Sequence, residues 1–321
     1  MTDKPLIPGE HVILVDRRAQ RYHVAGNGPV CIVHPGGPGI GWEHLRMPAL
    51  EERLTLVYLE PIGTGQSARF DKADDYTIDR YSDYLAQVVD HLAVPAPLLL
   101  GHSHGGFVAQ QYALRHPGRL GGLVLYATSP VTGIDFWNAA VANVQRFPHR
   151  FPDQPDAADI PHAFAAALAA GSDATYTEAL RRLLPIYLAR PWLNPDLLRA
   201  MQDGLHAWVA PARAQEPPFD VRNQLDSLRV PTLILAGAHD FICGPTWAQM
   251  LVDAIPDAEL VTFADSGHMV HLEEVEPFAL SVADFAAAAG ITTWRLPDQS
   301  SPASDVHPGQ PRQRRLLEPR S

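Results

Sequence analysis

The sequence predicts an α/β fold in which a mostly parallel sheet of eight strands, covered by helices on both faces, is interrupted by a helical cap. Three observations carry this. Short, almost wholly apolar runs alternate with amphipathic stretches; the alternation stops near residue 130; and it resumes near residue 226 after a segment with helical patterning and no convincing strand. Runs that are apolar throughout suit strands buried on both faces, the environment of a parallel sheet between two helical layers.

In chain order, HVILVD and RYHVAG read as the two strands of an N-terminal hairpin. CIVH (31–34), TLVYLE (55–60), LLLGHS (98–103) and LVLYAT (123–128) follow, each ended by Gly, Pro or polar residues. The helical patterns WEHLRMPALEERL, IDRYSDYLAQVVDHL and FVAQQYALRHP lie between them. Within the inserted segment, TYTEALRRLLPIYLA (175–189) places Ala179, Leu180, Leu183, Leu184, Tyr187 and Leu188 on one stripe, and prolines cut the rest into short pieces. TLILAGAHD, TWAQMLVDAI, AELVTFA and EPFALSVADFAAAA then complete the sheet and its covering helices. The expected organisation is a first core part at 1–129, a helical cap at 130–225, a second core part at 226–290 and a disordered tail at 291–321. That tail is rich in Pro, Ser, Gln and Arg and has no period.

Of the 321 residues, 46% are apolar and 19% charged, enough to bury a sizeable core. A net charge of −11 repels phosphate and argues against a nucleic-acid partner. The N-terminus MTDKPLIPGE has no basic-then-apolar signal pattern, and no run approaches the ~18 apolar residues of a membrane span. A cytoplasmic protein without membrane contact is therefore expected. Cys31 and Cys243 sit in apolar, strand-like contexts and read as buried thiols. With no metal-ligand cluster and no dinucleotide-binding glycine pattern, neither a metal nor an organic cofactor is expected. The expected partner is a small-molecule or short-peptide substrate.

The chemistry concentrates in Gly101-His102-Ser103-His104-Gly105, a G-x-S-x-G pattern between a strand and a helix. A serine on so sharp a turn needs small neighbours two residues away, and the helix start offers free N–H groups to developing negative charge. A serine hydroxyl needs a base, and the base an orienting acid. Asp240, at the end of TLILAGAHD, and His268, in FADSGHMVH after the next strand, are the candidates. His102 and His104 flank the serine too closely to serve it, and His104 is expected to contribute its backbone N–H to an oxyanion hole. His271 and Asp265 are the weaker alternatives for base and acid. The loop His34-Pro35-Gly36-Gly37-Pro38-Gly39 lets backbone amides approach a ligand, and the Gly37 N–H is the expected second donor. Gly36 and His34 are candidate pocket residues of the same loop.

HPGGPG, GHSHGG, GAHD and SGH, in this order, resemble the α/β-hydrolase superfamily over about residues 10–290. The HPGGPG loop is similar to the HGGPG signature of the proline iminopeptidase branch, whose members place a helical cap after the sixth strand. Many members of that branch carry a segment close to DQRGxGRS. Here the corresponding residues are Glu60-Pro61-Ile62-Gly63-Thr64-Gly65-Gln66-Ser67, which keep the glycine skeleton and replace the leading Asp-Gln-Arg. The resemblance implies cap glutamates that bind a substrate amine, for which Glu178 and Glu216 are the candidates, with Glu60 as a further substrate-binding candidate. It implies a serine hydrolase most like a prolyl aminopeptidase. The alternatives are a carboxylesterase or lactonase acting on a small apolar acyl compound and, from another class, a non-catalytic binding protein on the same fold.

Overall fold

The structure, a computed structural model, describes residues 5–210 and 218–293, so Glu216 and nearly all of the 291–321 segment lie outside the described residues. A two-residue turn joins β1 (Gly9–Val15) to β2 (Arg18–Gly26). Asp16 and Arg17 both take positive φ, 48° and 64°, as in tight hairpin turns whose twist matches that of the strands. Ile13 and Val15 face the core while Val12 and Leu14 face outward, the alternation of a strand with one buried face.

The next strands are β3 (Val30–His34), β4 (Thr55–Glu60), β5 (Leu98–His102), β6 (Gly122–Tyr126) and β7 (Thr232–Gly237), and every residue in them is buried. β8 (Ala258–Phe263) forms the half-exposed far edge. The sheet runs β1-β2-β4-β3-β5-β6-β7-β8. β2 is antiparallel to both its neighbours, and all pairs from β4 to β8 are parallel. The helices are α1 (Pro48–Glu51), α2 (Ile78–Leu92), α3 (His104–Arg115), α4 (Ile134–Arg150), α5 (Ile160–Leu168), α6 (Asp173–Leu183), α7 (Pro195–Gly204), α8 (Pro245–Ala254), α9 (Val270–Glu273) and α10 (Val275–Ala288).

Strand periodicity divides the core into two layers. Ile32, Leu59, Leu99 and Ile234 pack with Leu85 and Val88 of α2, Tyr112 of α3 and Leu251 of α8. Their neighbours Val33, Tyr58, Leu100 and Leu235 pack on the other face with Leu50 of α1 and with Phe278 and Val282 of α10. Cys31 and Cys243 are both buried and unbridged, and burial raises both thiol pKa values. No helix among the described residues is long and apolar enough to cross a membrane.

Helices α4 to α7 lie between β6 and β7 and share an apolar cluster in which Val144, Ile160, Leu180 and Leu198 meet Phe241 and Met269 of the core loops. Backbone bonds join this insertion to the β3 loop: Gly41 N–H donates to His206 O (3.0 Å) and Trp208 N–H to Gly39 O (2.6 Å). Two predicted helices are shorter than their patterns. WEHLRMPALEERL divides into a 3-10 turn at Trp42–Leu45 and α1, because Pro48 holds Met47 out of helical conformation (φ −123°, ψ 72°). TYTEALRRLLPIYLA is α6 only to Leu183, and a 3-10 turn at Leu184–Tyr187 contains Pro185.

Phe278 is 1% exposed and packs against the rings of Tyr126 and Phe263. Phe278→Ala is expected to destabilise the protein by about 3–5 kcal/mol, read as a lower urea midpoint with an unchanged m value.

Candidate active site

Four loops at the carboxyl ends of β3, β5, β7 and β8 build the site. The chain leaves β3 for β4 on one side and then crosses back from β4 to β5 on the other side of β3, and such a switch point is where open α/β sheets bind ligands. Ser103, directly after β5, has φ 53° and ψ −118°, an unusual conformation for a residue with a Cβ. Its backbone is held on three sides. Ser103 N–H donates to Tyr126 O (2.9 Å), and Ser103 O accepts from Gly106 N–H (2.9 Å) and Thr128 Oγ1 (2.8 Å). The glycines of the motif serve different contacts. A Cβ on Gly101 would collide with Gly105 O, and one on Gly105 with His34 O, so Gly105 makes room for the end of β3 rather than for the serine.

Asp240 follows β7, and its carboxylate has no exposed surface. Oδ1 accepts from the N–H groups of Ile242 (2.9 Å) and Cys243 (3.0 Å), while Oδ2 faces His268 Nδ1 at 2.7 Å. A buried carboxylate at that distance accepts from Nδ1–H, which leaves Nε2 as the ring nitrogen free for other contacts. The backbone of His268 is equally fixed: its N–H donates to Tyr187 O (2.8 Å), and its carbonyl accepts from Tyr126 Oη (3.2 Å) and His102 Nε2 (3.3 Å). Ser103 and His268 line one cavity of about 300 Å³, so the structure brings the serine, the histidine and the acid to one rim of the sheet.

Gly36 and Gly37 also line this cavity, and a Cβ on Gly36 would lie 3.0 Å from Ser103 Cβ. His104 is the first residue of α3, and its ring turns away to meet Tyr81 and Phe107 edge-on. Burial lowers its pKa to about 3, so the ring is neutral. His34 is outside the cavity lining. Its Nδ1 donates to Pro35 O (3.2 Å), and burial lowers its pKa to about 4.

The acidic candidates for substrate binding are placed elsewhere. Glu60 is buried beneath its own loop, where Oε1 accepts from the N–H groups of Gln66 and Ser67 (2.7 Å for the latter) and Oε2 faces His23 Nε2 at 3.4 Å. It shapes the glycine-containing turn and does not reach the cavity. Glu178 is exposed, on the side of α6 opposite the cavity-lining Tyr176 and Leu180. Glu216 lies outside the described residues. Neither weaker alternative joins the Asp240–His268 pair: Asp265 pairs on the surface with Arg190 (2.5 Å), and His271 has both nitrogens engaged.

Sequence reasoning missed most of the cavity wall. Leu180, Leu184 and Tyr187, which line it, belong to the recognised 175–189 stripe, so the signal existed without its destination. Ala200 and Met201 of α7 gave no such signal, nor did Glu43, His44 and Arg46, which enter from the 3-10 turn after β3. His44 is neutral: burial lowers its pKa to about 4, its Nδ1 bonds to Gly41 O, and its carbonyl accepts from His271 Nε2 (2.9 Å).

A family model described as alpha/beta hydrolase fold matches residues 29–275. The chain belongs to the α/β-hydrolase family. Among relatives of this α/β-hydrolase, 2-hydroxymuconate semialdehyde hydrolase of Pseudomonas sp. (strain CF600) is 28% identical over 302 residues, covering 88% of this chain and 94% of that one. Proline iminopeptidase of Clostridium botulinum is 29% identical over 268 residues, covering 78% and 86%. The solved structure of an alpha/beta fold family hydrolase from Bacillus anthracis superposes with a TM-score of 0.66 at 17% identity, covering 86% and 98%, a likeness of fold alone. The protein is thus a hydrolase of this family, and relatives at similar identity carry different activities.

Burial depresses the pKa of His271 from 6.5 to about 3, although its bond to His44 O opposes the shift. A histidine neutral when folded takes up its proton only on unfolding within that window, so stability is full above pH 6.5 and falls as pH decreases toward the folded value. His271→Gln, which keeps one donor and one acceptor, is expected to flatten the pH dependence of unfolding free energy there by up to about 1.4 kcal/mol per pH unit. Urea titrations at several pH values across the window read this slope.

Proposed function

We propose that this α/β-hydrolase cleaves esters of small apolar acyl groups through an acyl-enzyme on Ser103. The observation that carries the reading is the buried Asp240–His268 pair at 2.7 Å, opening on the same apolar cavity as a serine held in a strained strand-to-helix turn. Ser103 Oγ attacks the carbonyl carbon, and His268 Nε2 takes the proton. Asp240 holds the Nδ1–H tautomer and stabilises the imidazolium that forms. The oxyanion lies between the first N–H of α3, at His104, and the amides of the Gly36–Gly37 loop, whose contact with Ser103 supports this placement. His268 then returns the proton to the leaving alkoxide, and a water activated by the same imidazole frees the acid.

Cavity chemistry favours the ester. Tyr176, Leu180, Leu184, Met201, Leu205 and Met269 form its walls, and the cap glutamate at 178 faces solvent. An ammonium group held there has no cap carboxylate among the described residues to meet it. The second reading, removal of an N-terminal residue such as proline, draws on the HPGGPG resemblance and on Glu43, a carboxylate in the cavity lining, with Arg46 also present to offset its charge.

Ser103→Ala is expected to abolish labelling by a fluorophosphonate probe and to lower ester turnover by several orders of magnitude. Undiminished labelling would remove Ser103 as nucleophile, and undiminished turnover would remove the mechanism. Asp240→Asn is expected to lower kcat by roughly 10³–10⁴ with little change in KM, because the amide no longer selects the productive tautomer. Short-chain p-nitrophenyl esters assayed beside proline p-nitroanilide decide the substrate: faster anilide turnover would replace the ester reading with the aminopeptidase one.

A further inference from the structure

Two backbone segments meet beside His268. A Cβ on Gly267 would lie 2.6 Å from Tyr187 O and 3.0 Å from Ala189 N, so the inserted segment at 187–189 rests directly on the loop that carries the imidazole. His268 N–H donates to Tyr187 O across this contact. One side chain reaches both segments. Glu273, the last residue of α9, accepts from Gly267 N–H through Oε2 (2.6 Å) and from Ala189 N–H through Oε1 (2.7 Å). Its neighbour Glu274 accepts from Ser266 Oγ (2.7 Å) and Asp265 N–H (3.2 Å), which pins the start of the same loop.

The chemistry of the bridge is specific. Two N–H groups, one on each segment, converge on one side chain, and neither lies within a helix or strand. A carboxylate supplies two acceptor oxygens in a fixed plane, where an amide offers one acceptor and one donor. Bonds from N–H to a charged oxygen are also stronger than neutral ones. Burial raises the Glu273 pKa to about 7 while the backbone donors act in the opposite sense, as expected of a carboxylate taken out of water to make these bonds.

We propose that Glu273 is a positioning residue for His268, a carboxylate staple that fixes the histidine loop to the inserted segment and so sets the imidazole between Asp240 and Ser103. The proposal rests on the reading of His268 as the general base. It makes seating of the cap and alignment of the base a single event, because one side chain holds both residues 187–189 and the loop at 267–268. The ring of Tyr187 lies 5.4 Å from that of His268 and lines the cavity, so the stapled segment itself forms part of the cavity wall.

Glu273→Gln and Glu273→Ala in the full chain test it. Both are expected to lower kcat on the preferred p-nitrophenyl ester, about 10-fold for Gln and up to 100-fold for Ala, with KM within about threefold. The rate at which a fluorophosphonate labels Ser103 falls in parallel, because that step also draws on the base. A purely structural role would lower the melting temperature and leave kcat of the folded enzyme intact. Should Glu273→Ala fail to fold, the near-isosteric Gln variant carries the test. A folded Gln variant with kcat and labelling rate within twofold of the parent, or with its whole defect in KM, overturns the proposal. Ser103→Ala run alongside separates the two claims: retained turnover there ends the triad reading itself, whereas lost turnover there with normal Glu273 variants ends the staple alone.

Discussion

Asp240 carries a carboxylate with no exposed surface, and such a charge is tolerated only where polar partners meet it in the interior. Three do: the N–H groups of Ile242 and Cys243, supplied by the chain turning back immediately after β7, and Nδ1 of His268, supplied by the loop after β8. The second source requires β8 to lie beside β7 in parallel register, from Thr232↔Ala258 to Gly237↔Phe263. The geometry of one buried acid is thus tied to the order of the last two strands. The helix between them, α8, packs on the sheet through Ala248 and Leu251 and keeps that register.

Around this pair glycines let the backbone approach its neighbours closely, against main chain at three positions and against the side chains of His102 and Ser103 at Gly36. Gly105 lies against the carbonyls of His34 and Pro35, Gly36 against Ser103, Gly39 against Trp208 and Gly267 against Tyr187. The first two bring the β3 loop to the serine. The last two seat the inserted segment, one on that loop and one on the histidine loop. The cap is therefore joined to the sheet edge that carries Ser103 and His268 by main chain at two points, with the apolar cluster of Leu180, Phe241 and Met269 filling the space between.

The neighbourhood of His268 is rich in imidazoles, yet among the described residues there only this one faces a carboxylate. His102 lies beside it with its ring tilted by 53° (ring centroids 4.7 Å apart) and donates to its carbonyl, and His271 and His44 continue the chain of bonds behind. Burial and mutual repulsion pull the pKa values of these three down, so they act as neutral, rigid hydrogen-bonding rings. Their effect is to hold the backbone of residue 268, a role that residue type alone does not distinguish from that of a base.

The alternation of buried runs and amphipathic helices, the hairpin, the insertion after β6 and the eight strands were legible because burial on both faces or on one leaves a period in the sequence itself. Ser103, Asp240 and His268 were legible for a related reason: each follows an apolar strand, and parallel strands deliver their carboxyl ends to one edge. The helix boundaries at Pro48 and Leu183 were less so, since an apolar stripe continues across a proline that the backbone does not. What only the tertiary structure decided is which side chains face the cavity. Glu60 turned out to cap its own loop, Glu178 to face solvent, and Leu180, Met201 and Glu43 to line the site. Periodicity marks a face as buried or exposed; what that face is packed against is set by contacts between segments far apart in the chain, and no local pattern encodes them.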